Sequence, residues 1–527
     1  MKRKVIILLT IISVSFAITS CDDFLVTTPT DFLNPAIYYN TPEQLDAGLN
    51  SVYATLSSYP LFGDKMQSEL ALQADEGFNY NAVPMGNVRH YNVSTSDKDI
   101  LAFWKALYAG IDKANFLLEN INKPVMEDVD RGYLKSEALF LRAYFYFLLV
   151  QNFGEIPLRT ESAKSVNEGY DPRSPIRNIY NQIWTDLIEA EKIAQPIDQI
   201  GHGGRVSKSA IQGILARVAL YMAGHPLQDA TKWVDARKWS NEVIKSNLHE
   251  LNPNYEQVFI NYAKDIYDYK ESIFEVEFWG NNEPPYANAG KVAMNVGGPL
   301  YNKLSSPTYG VSYGWIYSTD WLYKSYPEGD IRRDRNIANF TFSTSTGLPV
   351  SRGTITAYGR AARKWDRKDE PASIRMLITG TSQNFPILRY SDVLLMFAEA
   401  NNELSGDVSQ TLDAINQVRR RGMGLDPKTP DSTIDLTDAL SQEDLRAAIR
   451  AERPRELCYE ALRKGDVVRW GLFYERMQFA NTEMQSTSWG TNVRRAYFEN
   501  ATPRDTLWPI PDYERGLNPN LTQNSGW

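Results

Sequence analysis

Apolar side chains that recur every three or four residues constrain the fold of this chain more than any other feature of its sequence. One run consists of Leu101, Trp104, Tyr108, Ile111 and Leu118. A second run consists of Leu134, Ala138, Leu141, Phe145 and Leu148. This spacing places each set on one face of an α-helix. The sequence therefore predicts a mainly α-helical protein in which each helix buries one stripe.

Helix boundaries are marked by polar caps and first-turn prolines. The segment Thr41-Pro42-Glu43 is typical of a helix start, and Asp97 or Asp99 can cap the next helix. Predicted helices cover residues 42–57, 97–118, 127–152, 176–194, 207–223, 232–246, 390–404, 409–422, 442–461 and 465–477. Successive helices of similar length indicate antiparallel pairs. The tetratricopeptide repeat is one such arrangement, although the sequence has no steady repeat period.

The middle of the chain differs from these helical segments. Residues 250–385 are rich in Gly, Pro, Asn, Ser and Tyr, and 272–278 has the composition of a short strand. Most of this region is predicted to form irregular loops. A loop region of this length inside a folded chain is usually functional.

The N-terminus has the features of a bacterial lipoprotein signal. A basic start, Met1 to Lys4, precedes an apolar stretch at 5–18, and Ile18-Thr19-Ser20-Cys21 then resembles a lipobox. Residues 1–20 are predicted to be removed and Cys21 to be lipidated; an ordinary signal peptide with a chance cysteine is the alternative. Cys458 is the other cysteine, so the mature chain is expected to have no intramolecular disulfide.

The sequence offers little support for catalysis or for nucleic-acid binding. The net charge of -8 repels phosphate backbones. The four histidines are scattered without metal-ligand spacing, and no nucleophile elbow is present. A glycoside hydrolase would need two carboxylates across a cleft, but the chain lacks the alternating strands and helices of a barrel hydrolase. We therefore predict a protein that is not an enzyme, with no catalytic residue, cofactor or metal.

Several segments, in order along the chain, resemble the SusD/RagB family. They are ALFLRAYFYFL at 138–148 with FGEIPL at 153–158, GRVSKSA at 204–210 with LARVALY at 215–221, PILRYSDVLLMFAEA at 386–400 with AINQVR at 414–419, ERPRELCYE at 452–460, and WPIP at 508–511 with NPNL at 518–521. The resemblance covers nearly the whole chain but is poor over 250–385. Pro454 is a departure, because it falls where a helix is expected to continue.

The resemblance implies an α-α superhelix of tetratricopeptide-like helix pairs packed against a loop-rich region with a few short strands. It implies one domain over residues 21–527. The helical scaffold is expected at about 42–249 and 386–477, and the ligand region at about 250–385 with C-terminal loops at 478–527. Charged residues within the family motifs are expected to form ion pairs inside the helical core: Arg142, Arg389, Asp392, Glu399, Arg453, Glu456 and Arg469.

The resemblance also implies a function. Proteins of this family are lipoproteins of the outer-membrane surface that capture oligosaccharide and deliver it to a SusC-like TonB-dependent transporter. Asp22-Asp23, directly after Cys21, resembles the family's surface-export tag. A peptide-capturing lipoprotein of the same architecture is the alternative, and an adaptor that binds only protein is a third reading. The identity of the glycan, its linkage and length, calcium dependence and transporter stoichiometry are left open.

Two loop segments have the residues that a sugar-binding surface needs, since sugar rings stack on aromatic rings and their hydroxyls need polar partners. The first segment spans 75–92 and the second spans 309–317. The candidate ligand-binding residues are Trp315, Tyr313, Tyr309, Tyr317, Asp75, Asn81, Arg89, Tyr91, Trp279, Tyr286 and Tyr301. The alternative is that these rings pack the loop-rich half. Trp104 and Trp321 are predicted to belong to the core.

Overall fold

The computed structural model describes residues 38–70, 74–80, 87–163, 170–279, 288–301, 308–343, 345–351 and 357–527. Its longer helices are α1 (Pro42–Tyr53), α2 (Lys98–Asn120), α3 (Asp128–Phe153), α4 (Ile176–Ile193), α5 (Lys208–Ala223), α6 (Lys232–Lys245), α7 (Tyr255–Lys264), α8 (Tyr390–Glu403), α9 (Val408–Gly422), α10 (Gln442–Leu457), α11 (Arg463–Arg469) and α12 (Phe473–Gln485). Shorter helices span Ile197–Ile200, Val292–Val296, Asp320–Ser325, Arg332–Asn336, Ala372–Arg375, Ala496–Glu499 and Asp512–Leu517.

Polar caps begin three of these helices, and those at Thr41 and Asp97 were expected from the sequence. The Thr41 side chain accepts from the Gln44 amide in a capping box at the start of α1. Asp97 accepts from the amides of Asp99 and Ile100 at the start of α2. Thr319 accepts from the Leu322 amide before the short helix Asp320–Ser325. Each cap satisfies backbone donors that have no partner within their helix.

The helices stack in chain order. Each helix from α2 to α5 packs on the next, α8 packs on α6, and both α9 and α10 pack on α8. This confirms the predicted mainly α-helical fold with tetratricopeptide-like helix pairs. No helix in the described ranges is long and apolar enough to cross a membrane.

Six short strands form three two-stranded sheets within the described residues. Strands β1 (Gly77–Asn79), β2 (Ser272–Val276), β3 (Ile316–Ser318), β4 (Phe340–Phe342), β5 (Pro349–Ser351) and β6 (Phe385–Arg389) pair as β1 with β3, β2 with β6 and β4 with β5, all antiparallel. The predicted strand at 272–278 is confirmed as β2. Because β2 and β6 pair, the two ends of the loop-rich region between them lie side by side at one buried ladder.

The structure corrects the sequence prediction in two regions. Residues 250–385, predicted to lack helices, contain the ten-residue α7, which Asn254 caps. Tyr255, Val258, Phe259 and Tyr262 give α7 a buried face. At the C-terminus, α12 runs past the predicted end at 477 to Gln485 because Met477, Ala480 and Met484 continue its buried face.

The apolar interior consists of a large core between the helices and a second, smaller core. The smaller core joins the first loop segment to the C-terminal helices: Ala74, Phe78, Tyr91, Tyr317, Ala338, Tyr358, Ala361, Val467, Phe473, Met477, Ala480, Met484, Tyr497, Phe498 and Ala501. Trp104 belongs to the large core, as predicted, and Trp321 is partly buried against it. Because of the smaller core, a side chain in the loop-rich half can be fully buried.

Buried ion pairs connect the helices to the loop-rich half. Arg389 at the end of β6 contacts Glu271, Glu456 and Glu460 at 2.9, 3.0 and 2.7 Å. The remaining motif charges also pair inside the protein: Arg142 with Asp186, Arg453 with Asp392 and Asp466, and Arg469 with Glu399. The predicted ion pairing of the family motifs is therefore confirmed.

Candidate functional site

Backbone hydrogen bonds hold the second aromatic loop in place. The amides of Tyr313 and Trp315 donate to the carbonyl oxygens of Met294 and Asn295 at 2.7 and 2.9 Å. The Tyr80 amide donates to the Trp315 carbonyl oxygen at 2.6 Å, and β3 then pairs with β1. Gly314 adopts a φ of 56° inside this loop, a conformation that glycine adopts without strain. Both aromatic loops are thus joined at one small sheet.

Tyr313, Trp315 and Arg89 form one group, which we call the loop surface, with Tyr313 exposed and Arg89 largely buried behind the rings. The Tyr313 and Trp315 rings stack with centroids 6.0 Å apart and an interplanar angle of 26°. The Arg89 guanidinium carbon lies 4.7 Å from the centroid of the Trp315 ring. Tyr313 is 36% exposed and Trp315 is partly buried. The loop surface therefore offers a ring platform beside a cation.

A buried carboxylate fixes the position of Arg89. Arg89 Nη2 and Lys65 Nζ each lie 2.5 Å from Glu69 Oε1. Burial opposes ionisation of Glu69, but Arg89 and Lys65 outweigh it and hold the pKa of Glu69 below its ordinary value. Because Glu69 stays charged at neutral pH, the guanidinium of Arg89 is held against Trp315 before any ligand arrives.

A cavity of about 290 Å³ lies beside the loop surface, and we call it the loop cavity. Its aromatic wall is formed by Tyr301, Tyr309, Phe340 and Phe342, with Tyr301 and Tyr309 centroids 4.5 and 5.0 Å from that of Phe342. Its polar lining includes Arg363, Asp366, Arg367 and Lys368. Rings on one side and hydrogen-bonding groups on the other make the cavity suited to an amphipathic ligand.

Three of the predicted site residues belong to the protein interior instead. Both carboxylate oxygens of buried Asp75 are held by Arg463 and Arg476, and Arg463 Nε lies 2.6 Å from Oδ1. Tyr91 packs edge-on against Tyr497 in the smaller core. Tyr317 is buried beneath the Tyr80 ring, with centroids 3.8 Å apart. These three residues are therefore buried and lie outside the loop surface, with Tyr91 and Tyr317 in the smaller core and Asp75 held by two arginines.

The remaining predicted site residues lie in different surroundings. Tyr301 is buried but lines the loop cavity with Tyr309. Trp279, shortly after β2, is 73% exposed. Asn81, Tyr286 and the lipidation residue Cys21 lie outside the described residues.

Sequence reasoning missed several residues around the loops. Tyr80 is partly exposed and lies under the Arg494 guanidinium carbon at 3.8 Å from its ring centroid. Phe340 and Phe342 are contributed by β4, where the alternation Phe-Thr-Phe was a weak signal of a strand with two rings on one face. Arg363 and Lys368 have no local sequence signal, since only the folding of the loops brings them to the cavity.

The lining of the loop cavity does not resemble a hydrolytic centre. Among its described lining residues the one carboxylate is Asp366, which accepts from Arg363 Nε at 2.9 Å and from the Lys368 amide. A glycoside hydrolase generally needs a second carboxylate across the cleft. In the described part of the chain, no group of three or more His, Cys, Asp or Glu side chains is arranged to hold a metal ion.

Stacked helices with aromatic loops define a class of helical binding proteins, and comparison with known proteins gives the family. Residues 23–220 match the family described as "Starch-binding associating with outer membrane", and residues 333–527 match the SusD family. The chain belongs to the SusD/RagB family.

Individual relatives cover nearly the whole chain. SusD-like protein P2 of Formosa agariphila is 25% identical over 98% of both chains. A crystal structure of a SusD homologue from Bacteroides thetaiotaomicron is 26% identical, with a TM-score of 0.82 over 94% of this chain and 98% of that one. A laminarin-binding SusD-like protein is 22% identical, with a TM-score of 0.68 over 93% of this chain and all of that one; this second likeness concerns the fold.

Proposed function

We propose that this protein is a cell-surface lipoprotein that binds an oligosaccharide and delivers it to a SusC-like TonB-dependent transporter in the outer membrane. The stacked pair Tyr313 and Trp315 beside the fixed Arg89 carries this proposal. A sugar ring presents C–H groups to an aromatic face and hydroxyls at its edge, and the loop surface supplies a partner for each. The loop cavity next to it has room for a further ring.

Membership in a family with starch-binding and laminarin-binding relatives supports this function. The lone, already paired carboxylate in the described lining of the loop cavity supports binding without hydrolysis. Attachment through a lipid on Cys21 is consistent with the lipobox, and several acyl chains on one cysteine give stable anchoring. A Cys21→Ala variant is expected to leave the membrane fraction; its retention there would contradict the anchor.

The first test is a binding screen on the mature protein. The probes are oligosaccharides derived from starch, laminarin and other polysaccharides, with reducing ends measured in the same wells. Binding without new reducing ends would support a capture protein and identify the sugar class. New reducing ends would overturn the proposal in favour of a hydrolase. Binding of peptides but of no glycan would overturn the ligand class and favour the peptide-capturing alternative.

Two tryptophan variants separate the loop surface from the core. Trp315→Ala is expected to weaken glycan binding by about tenfold, which corresponds to about 1.4 kcal/mol, with a small change in melting temperature. Trp104→Ala is expected to lower the free energy of unfolding by about 3–5 kcal/mol, because Trp104 packs edge-on against Phe153 in the large core. Calorimetric titration and thermal unfolding measure the two effects. Equal melting losses would place Trp315 in the core and remove it from the site.

A further inference from the structure

We infer that the protein has a second ligand-binding site, which takes a single neutral sugar ring, between α2 and the C-terminal tail. A cavity of about 400 Å³ lies there, and we call it the tail cleft. Its lining consists of Trp104, Lys105, Tyr108, Pro157, Arg159, Tyr170, Glu514, Leu517, Asn518 and Leu521. None of these residues belongs to the loop surface or the loop cavity, so this inference goes beyond the proposed function and does not depend on it.

Three chain segments build the tail cleft and are held together without a ligand. The Asp512 amide donates to the Thr95 carbonyl oxygen at 2.9 Å, which fixes the tail beside the start of α2. The Tyr108 hydroxyl donates to the Pro157 carbonyl oxygen at 2.8 Å. Asn518 Nδ2 donates to the Asp171 carbonyl oxygen at 2.8 Å. A cavity whose walls are fixed in this way binds a ligand without first ordering its own side chains.

The charges around the tail cleft favour a neutral ligand. Arg159 Nε lies 2.6 Å from Asp171 Oδ2, so this cation is already compensated. Lys105 Nζ lies 4.0 Å from Glu514 Oε1 and 3.7 Å from the centroid of the Tyr513 ring. At 4.0 Å the Lys105–Glu514 contact is too long for a hydrogen bond, and no hydrogen bond to the Glu514 carboxylate occurs among the described residues. Glu514 is therefore available as an acceptor for hydroxyl groups.

Apolar surface completes the chemistry of a sugar site. Trp104 and Tyr108 form the inner wall, with ring centroids 4.9 Å apart. At the rim, Tyr170 is 51% exposed and Leu517 is 58% exposed. Their exposure leaves an apolar surface beside the acceptor Glu514 and the amide Asn518. A ring with one apolar face and a hydroxylated edge contacts both kinds of group, whereas a purely apolar ligand would leave Glu514 without a partner.

The test reads the two sites separately by fluorine NMR on the full mature chain labelled with 5-fluorotryptophan. The Trp104 and Trp315 resonances are assigned with Trp104→Phe and Trp315→Phe. Glucose, galactose, mannose, xylose and glucuronate are then added to about 100 mM, because a site for one ring is expected to have a Kd on the order of millimolar. The Trp104 resonance is expected to shift saturably with at least one neutral sugar and to keep this response in Trp315→Ala.

Variants of residues in the tail cleft test whether the shift of the Trp104 resonance is caused by binding in that cleft. Tyr170→Ala with Glu514→Gln is expected to weaken the Trp104 response by about tenfold. Tyr474→Ala is the matched control, because it removes a similarly exposed tyrosine in α12 that does not line the tail cleft. It is expected to leave the Trp104 response unchanged. The inference is overturned if the Trp104 resonance responds to none of the sugars, responds only to glucuronate, or responds equally in the double variant. The Trp315 resonance, read with longer oligosaccharides, reports on the proposed function independently.

Discussion

Lys464 is a buried amine whose position makes stability depend on pH. It is 5% exposed, and its Nζ has no hydrogen-bond partner within the described part of the chain. The nearest described ring, that of Trp508, has its centroid 5.0 Å away. Burial lowers the pKa of Lys464 from 10.5 to about 7 and outweighs the opposing effect of Asp505. In the folded state the amine therefore loses its proton near neutral pH.

This pKa predicts the sign of a pH effect. Between about pH 7 and 10.5 the unfolded chain holds a proton on Lys464 that the folded chain does not, so this residue makes stability rise with pH across that window. Lys464→Met is expected to raise the free energy of unfolding by about 2 kcal/mol at pH 7. It is also expected to remove the contribution of Lys464 to the rise of stability with pH. Urea unfolding at several pH values measures it. Lys245→Met, at an exposed lysine, is the control; parallel wild-type and Lys464→Met curves would contradict the assignment.

At the scale of residues, the sequence predicted the buried ion pairs but not the burial of two candidate site residues. Charges within apolar motifs, such as Arg142 on α3 and Arg389 at the end of β6, were predicted to form buried ion pairs, and that prediction is confirmed. Asp75 and Tyr91 lie in a loop segment whose local sequence predicts exposed side chains. Their burial is decided by Arg463, which is 388 positions after Asp75, and by the C-terminal helices, and no local pattern in the sequence indicates those contacts.

At the scale of elements, the contact between the end of α5 and the end of α11 leaves no room for a side chain. A Cβ added at Gly224 would lie 2.5 Å from the Arg469 carbonyl oxygen, and the His225 amide donates to that oxygen at 2.8 Å. Gly224→Ala is therefore expected to lower the free energy of unfolding by about 1–3 kcal/mol. Chemical denaturation measures this loss.

Gly516 provides the matched control for that substitution. It lies within the short helix Asp512–Leu517, and a Cβ there would meet no atom within 4 Å. Gly516→Ala is expected to be neutral or to stabilise by up to about 1 kcal/mol, because alanine favours helix. Equal losses in both variants would mean that the α5–α11 contact does not restrict the residue at position 224.

Elements differ in how well the sequence predicts them. The long helices were predictable because their periodicity and caps are local, and α2, α3 and α5 begin and end within a few residues of their predicted bounds. Pro454 falls where a helix was expected to continue, and α10 does continue past it and ends at Leu457. The three-residue β1 and β3 are too short to have a recognisable period, and they form because two segments that are nearly half the chain apart in sequence meet in the fold.

At the scale of the whole molecule, the helical scaffold and the loop-rich half are expected to unfold together. The β2–β6 ladder, the contacts of Arg389 and the Asp75–Arg463 pair all join them in the interior. Differential scanning calorimetry of the mature chain is expected to give one transition with equal calorimetric and van't Hoff enthalpies. Two resolved transitions would contradict the prediction that residues 21–527 form a single domain.

The β2–β6 ladder has a consequence for protein engineering. Val276 and Phe385 face each other at its last rung, so the intervening chain begins and ends side by side. The entropy of closing such a segment grows slowly with length, by about 0.6 kcal/mol per doubling. The β4–β5 hairpin can therefore be lengthened or replaced by that of a relative while the ladder and the helices keep their places. Such a graft would change the aromatic wall of the loop cavity, but it would leave the loop surface unchanged, because Arg89, Tyr313 and Trp315 lie outside the grafted segment.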